Sequence, residues 1–272
     1  MRRDQLSHIV LLLPAGAFFG AFFLLPLAQL FLVGASGKGG VSAYTSIITD
    51  KGHFNALVAT LALAMATTVV TLIVSGIAGV FLQRNKFRGN SALVAMLTLP
   101  LAFPGVVIGF MVIIMAGRQG LIGEVSQMLT GEKIVFAYSM AGLFMGYVYF
   151  SIPRTILTVM ATAEKLDPHL EEAARSLGAT PWQVVRDVII PGLKPAFISA
   201  GAVCFATAMG AFGTAFTLAT RINVLPMVIY TEFTLQANIA VAAALSFVLG
   251  AVTWIVLAVA RSAAGGTVAA AG

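Results

Sequence analysis

The sequence predicts an all-α, polytopic membrane protein with six transmembrane helices and both termini on the cytoplasmic side. Three observations carry that expectation. Apolar residues make up 59% of the chain and charged residues only 10%, against about 25% charged in soluble domains. Six apolar runs are each long enough to cross a hydrocarbon core, which takes about 20 residues of helix. The basic residues stand at the ends of these runs and are divided unequally between the two sides.

The runs lie near residues 9–33, 56–82, 92–116, 138–161, 196–220 and 239–260. The first follows Arg2 and Arg3 as a signal peptide would. A cleavable apolar core is only about 7–15 residues long, whereas this run continues to Val33, so a retained signal anchor is expected. Short cytoplasmic loops accumulate Lys and Arg. With the N-terminus inside, ten of the sixteen cations fall on the cytoplasmic side: Arg2, Arg3, Arg84, Lys86, Arg88, Lys165, Arg175, Arg186, Lys194 and Arg261. Five fall outside: Lys38, Lys51, Arg118, Lys133 and Arg221. The remaining one, Arg154 in the fourth run, is expected to snorkel to the inner interface.

Prolines interrupt several runs: Pro14 and Pro26 in the first, Pro100 and Pro104 in the third, Pro153 in the fourth. Each removes a backbone donor and kinks a helix. Leu99-Pro100-Leu101-Ala102-Phe103-Pro104-Gly105 is expected to bend, with Gly105 and Gly109 allowing close helix approach.

Between the fourth and fifth runs lies a polar segment, 162–195. Asp167 suits an N-cap and Pro168 the first helical position. Leu170, Ala173, Ala174 and Leu177 fall at i, i+3, i+4 and i+7, one apolar stripe, with Glu171, Glu172 and Arg175 off it. Gly178 suits the left-handed residue that ends a helix. Thr180 and Gln183 are spaced as a capping box that restarts one, and Pro191 and Pro195 are expected to close it before the fifth span. The expected product is two short helices joined by a glycine turn. It would serve either as a knob for a partner's groove or as a solvated hairpin.

Several function classes lose support. Gly37-Lys38 is followed by Gly39 rather than Ser or Thr, and Leu32 stands where a phosphate loop begins with glycine. No Asp or Glu falls within the six runs, where ion-coupled carriers place their relay groups. No paired acid, base or nucleophile lies at membrane depth. The single cysteine, Cys204, permits no internal disulfide, and His8, His53 and His169 have no metal-ligand spacing. The net charge of +6 is dispersed rather than gathered into a nucleic-acid-binding patch. An ion-coupled or facilitative carrier and a scaffold without a transport path stand as alternatives.

Glu172-Ala173-Ala174, then Gly178, then Val188-Ile189-Ile190-Pro191 after nine residues, resembles the coupling loop of binding-protein-dependent ABC transporter permeases. The resemblance implies one permease domain, 1–272, of the type I importer fold in a bacterial inner membrane. It implies that Leu170, Glu172, Ala173, Ala174, Leu177, Gly178, Trp182 and Pro191 engage an ATP-hydrolysing subunit, Glu172 through a basic residue there. The implied partners are ABC ATPase subunits, a second permease chain, a solute-binding protein and the lipid membrane, with no nucleic acid. ATP and Mg would be bound by the ATPase, and this chain would carry no cofactor. The runs 99–109 and 205–214 resemble the same superfamily. Ala211, where many relatives carry Glu, points with Asn223-Val224-Leu225-Pro226 and Tyr230-Thr231-Glu232-Phe233 to the spermidine/putrescine and 2-aminoethylphosphonate branch rather than the sulfate and molybdate one. A polyamine-like substrate is then expected. The expected path-lining residues are Pro100, Pro104, Tyr147, Tyr149, Ala211, Tyr230 and Glu232. Otherwise Tyr147, Tyr149 and Ser151 bond between helices, and the Tyr230–Thr234 stretch lies at the membrane interface.

Overall fold

The structure, a computed structural model, describes residues 12–37, 40–218 and 222–263. Arg2, Arg3, His8, Lys38 and Arg221 therefore lie outside the described residues. Helices account for nearly all regular structure, because a chain this apolar must satisfy its backbone polar groups internally. In order they are α1 Leu12–Ala35, α2 Ser42–Thr49, α3 Lys51–Arg84, α4 Asn90–Thr98 and α5 Gly105–Ala116. There follow α6 Leu121–Thr130, α7 Met140–Glu164, α8 Pro168–Ser176 and α9 Pro181–Gly210. The last three are α10 Gly213–Leu218, α11 Leu225–Leu235 and α12 Ile239–Ala263. Six helical stretches among the described residues are long and apolar enough to cross a membrane.

The chain divides into two units. One comprises the residues up to Leu57 with Val228–Val252, the other Val58–Met227 with the residues from Thr253 onward. In the first unit, Phe31, Tyr44 and Phe247 form an aromatic cluster, with Phe31 5.3 Å from Tyr44 and 5.2 Å from Phe247. The Tyr44 hydroxyl donates to the Phe31 carbonyl at 2.6 Å. Asp50 caps α3 by accepting from the backbone N–H groups of Gly52 and His53. The His53 and Gly52 bonds favour its ionised form and hold its carboxyl below the usual range. Along α1, Phe18 stacks on Phe22 and Phe19 on Phe23, all four exposed. Lipid is the natural solvent for such a face.

In the second unit, α7 packs on α9 and α5 on α10. Three sequence expectations are corrected here. The third run is not one helix: α4 passes into a tight turn at Leu99–Ala102, and the chain is extended at Phe103 (φ −97°, ψ 133°) before α5 begins. Pro104 causes this, since its ring disfavours helical backbone at the preceding residue. The fifth run ends at Gly210 rather than near residue 220, with Ala211 extended (φ −72°, ψ 107°) before the short α10. Finally, Pro191 and Pro195 close nothing. Both lie within α9, which runs 30 residues from Pro181, about 45 Å at 1.5 Å per residue. A widened π turn at Val185–Ile189 ends just before Pro191. Such a turn adds a residue where the proline ring would otherwise clash with the carbonyl four back.

Candidate functional site

The segment between α7 and α9 is an elbow whose stiffness is local. The Asp167 carboxylate accepts from the His169 N–H at 3.0 Å and starts α8. At its end Gly178 takes φ +85°. The Ala179 N–H bonds the Ala174 carbonyl at 3.0 Å and the Gly178 N–H the Arg175 carbonyl at 2.9 Å. This paired closure satisfies carbonyls that a helix end leaves free. Two residues on, the Thr180 N–H donates to Gln183 Oε1 at 2.7 Å and Thr180 Oγ1 accepts from the Gln183 N–H at 3.4 Å. The capping box read from the sequence is present. The second arm is then continuous with the fifth span.

The tip is bare. Leu177 is 89% exposed, Trp182 67% and Leu170 54%, so most of the predicted stripe is left uncovered by the described residues. Ala173 is exposed and Ala174 half-buried. Glu172 is also exposed, its carboxylate 3.2 Å from His169 Nδ1. Pro191 is exposed but sits ten residues into α9, away from the tip. Below the tip, Val159, Ala163 and Leu193 form a buried cluster flanked by Leu166, Ile189 and Phe197. Arg84, at the end of α3, donates from Nη2 to Glu171 Oε1 at 2.5 Å. Sequence reasoning missed this pair. It placed Glu171 off the stripe but had no means of matching it to a cation 87 residues away.

The pathway candidates divide. An open-sided cavity of about 270 Å³ is lined by Gly105, Tyr147, Ser151, Thr207, Ala211 and Thr214, among others. Tyr147 is 4% exposed and donates its hydroxyl to the Ala211 carbonyl at 2.5 Å. Thr214 Oγ1 donates to the Gly105 carbonyl at 2.9 Å. The breaks in the third and fifth runs thus meet across this pocket, and side chains bond a backbone carbonyl beside each break. Irregular backbone at membrane depth is tolerated where protein buries it or it lines a cavity. The close approach expected at Gly109 is present, since a Cβ there would lie 2.6 Å from Thr217 Cβ. Pro100 is buried and Pro104 exposed, and neither lines the cavity; they shape it through the bend. Tyr149 is 42% exposed and lies outside the lining. Two residues along a helix from Tyr147, it points away.

Tyr230 and Glu232 are placed differently from the lining role. Tyr230 is half-buried. Glu232 is 7% exposed and pairs with His53 Nε2 at 3.5 Å. Arg154 also departs from expectation. Ala163 and Leu193 mark one level of the α7–α9 packing. Arg154 is nine residues from Ala163, yet its Nη1 lies 3.4 Å from Thr207 Oγ1, fourteen residues from Leu193. The side chain therefore reaches toward the Met140 end of α7, away from the elbow, as helical Cα–Cβ bonds tilt. A stripe of buried hydroxyls on α3 (Thr60, Thr67, Thr71 and Ser75) was also missed, although a spacing of four from Thr67 onward was visible. Thr60 accepts from the Leu225 N–H at 2.8 Å and Ser75 donates to the Ile152 carbonyl at 3.4 Å.

Six apolar spans, with breaks in the third and fifth runs meeting at an open pocket, and an exposed elbow define a multi-pass membrane protein. Residues 75–264 match the family described as binding-protein-dependent transport system inner membrane component, and the chain belongs to that family. It is 30% identical to sulfate permease 2, chloroplastic, of Chlamydomonas reinhardtii over 89% of its length, covering 66% of that protein. It is 27% identical to a putative 2-aminoethylphosphonate transport system permease protein of Salmonella typhi, over 88% of this chain and 84% of that one. Among solved structures, a chain of a bacterial alginate ABC transporter in complex with alginate pentasaccharide-bound periplasmic protein superposes with a TM-score of 0.83. At 16% identity, over 98% of this chain and 96% of that one, the likeness is one of fold. With relatives on the sulfate and the phosphonate side alike, Ala211 does not decide the branch.

Proposed function

We propose that this chain is the permease subunit of an ATP-driven ABC importer and that its elbow couples a cytoplasmic ATPase to the membrane helices. The carrying observation is that an exposed tip holds Trp182 in the first turn of a 30-residue helix, with Leu177 across the Gly178 turn, and that this helix ends beside the pocket at Ala211. Movement imposed on the tip shifts one wall of the pocket as a lever shifts its load. A solute-binding protein and a second permease chain complete the path, as the family's description and the open side of the pocket suggest. An exposed ion pair at Glu172 contributes only about 0–1 kcal/mol, so Leu170, Leu177 and Trp182 supply most of the docking energy.

For substrate we favour a small oxyanion over the polyamine suggested by the sequence. The relatives above are named for sulfate and 2-aminoethylphosphonate, which share a tetrahedral oxyanion head. A polyamine would require carboxylates along its route. Among the described residues the cavity lining has none, and the ionised side chain beside it is a cation, Arg154.

The test is a Gly178→Val chain reconstituted with ATPase and binding protein. A Cβ at this position meets nothing within 4 Å, so the damage comes from φ +85° alone. The complex is expected to assemble and hydrolyse ATP while losing uptake. Full uptake would contradict the coupling role.

A further inference from the structure

We propose that Arg154 is the anion-selecting residue of the translocation path, an assignment that rests on the oxyanion reading above. Arg154 stands ten residues from Glu164 and fourteen from Met140 in α7, about 15 Å and 21 Å along the helix. Both distances place its Cα inside the hydrocarbon region. A guanidinium at that depth is costly unless it faces a water-filled cavity or an opposite charge. Among the described residues no carboxylate lies within ion-pairing distance of it. Nor does it escape toward the elbow end, as the register of its Thr207 contact shows. Its side chain is exposed on the α7–α9 wall. There it borders a small cleft with Phe150, Ser151, Thr155, Cys204 and Thr207, and the cleft shares Phe150, Ser151 and Thr207 with the larger pocket.

The chemistry of this wall suits one class of solute. A guanidinium carries five N–H donors in a planar fork, and one of them makes only the long 3.4 Å contact to Thr207. The rest are available for two parallel bonds to a tetrahedral oxyanion, the geometry arginine offers to sulfate and phosphonate groups. The neighbouring Ser151 hydroxyl adds a donor of low specificity, whereas the Thr207 hydroxyl is committed to the Val203 carbonyl at 2.7 Å and Tyr147 to Ala211. A single cation beside a hydroxyl attracts an anion without holding it tightly, which is what conduction requires.

The experiment measures uptake of radiolabelled sulfate, molybdate and 2-aminoethylphosphonate by proteoliposomes holding the complete complex with saturating binding protein. Relative to the native chain, Arg154→Gln is expected to lower oxyanion uptake about tenfold or more, the scale of a lost charged hydrogen bond. Arg154→Lys is expected to retain an intermediate rate, with both variants assembling normally by size exclusion. In a Cys204→Ala background, Arg154→Cys is expected to react with water-borne thiosulfonates. A cationic reagent should restore uptake and an anionic one should not. Native uptake of an oxyanion with Arg154→Gln unimpaired would overturn the Arg154 assignment alone. So would failure of both reagents to react with the Arg154→Cys chain, which would place the side chain against lipid or a subunit seam, and so would equal rescue by both. A native complex that takes up none of the three anions would overturn the oxyanion reading and this assignment with it.

Discussion

The elbow and the pocket wall are built by opposite means. In the elbow, bonds close over two to five residues: Asp167 to His169, Ala174 to Ala179, Thr180 to Gln183. In the wall, the partners are distant in sequence, with Tyr147 bonded to Ala211 and Thr214 to Gly105, 64 and 109 residues apart. The elbow's turn and caps are therefore set locally, with Arg84–Glu171 tying it to α3, whereas the wall exists only once α5, α7, α9 and α10 have packed. A part that transmits force benefits from local stiffness. A part that must open and close benefits from contacts that a shift of one helix can break.

That contrast can be broken at three points. The largest effect on uptake is expected at Gly178→Val: a left-handed backbone costs a side-chain-bearing residue about 1–2 kcal/mol, and relieving it changes the elbow's shape and so abolishes coupling rather than merely weakening the fold. Uptake per ATP hydrolysed is the measurement. Next is Glu171→Gln, which removes a charge from the long-range tie between the elbow and α3. Hydrogen bonds to charged groups contribute about 1.5–3 kcal/mol. A lower thermal unfolding midpoint of the purified chain is expected, together with reduced uptake. The smallest is Tyr147→Phe, which removes one neutral hydrogen bond, about 1 kcal/mol. It is expected to leave the elbow's docking affinity unchanged and to alter uptake through the pocket alone. A change in ATPase docking by Tyr147→Phe would show that the two regions are not built separately.

Legibility in the sequence followed the same division. The N-cap, the glycine turn and the capping box could be read from residues 167–183 because each depends on neighbours within five positions. Proline positions were legible and their consequences less so. Pro104 broke its helix through Phe103 as the local rule says, but Pro191 was absorbed by a widened turn that needs surrounding helix to hold it. Partner choice was hidden altogether. Nothing local pairs Arg84 with Glu171, or Glu232 with His53, and nothing local aims Arg154 away from the elbow. Ala211 left the branch undecided for a different reason. Its contribution to the pocket includes a backbone carbonyl, which any residue type supplies, so the side chain at that position is a poor guide to substrate.

The most direct test of the coupling account is to replace Trp182 with cysteine and label it with a membrane-impermeant maleimide, with and without the ATPase subunit bound. Cys204 is buried and gives little background. The account predicts labelling in inverted vesicles stripped of ATPase, protection once the ATPase is restored, and no labelling of intact cells. Labelling from outside intact cells, or a rate indifferent to the ATPase, would contradict it.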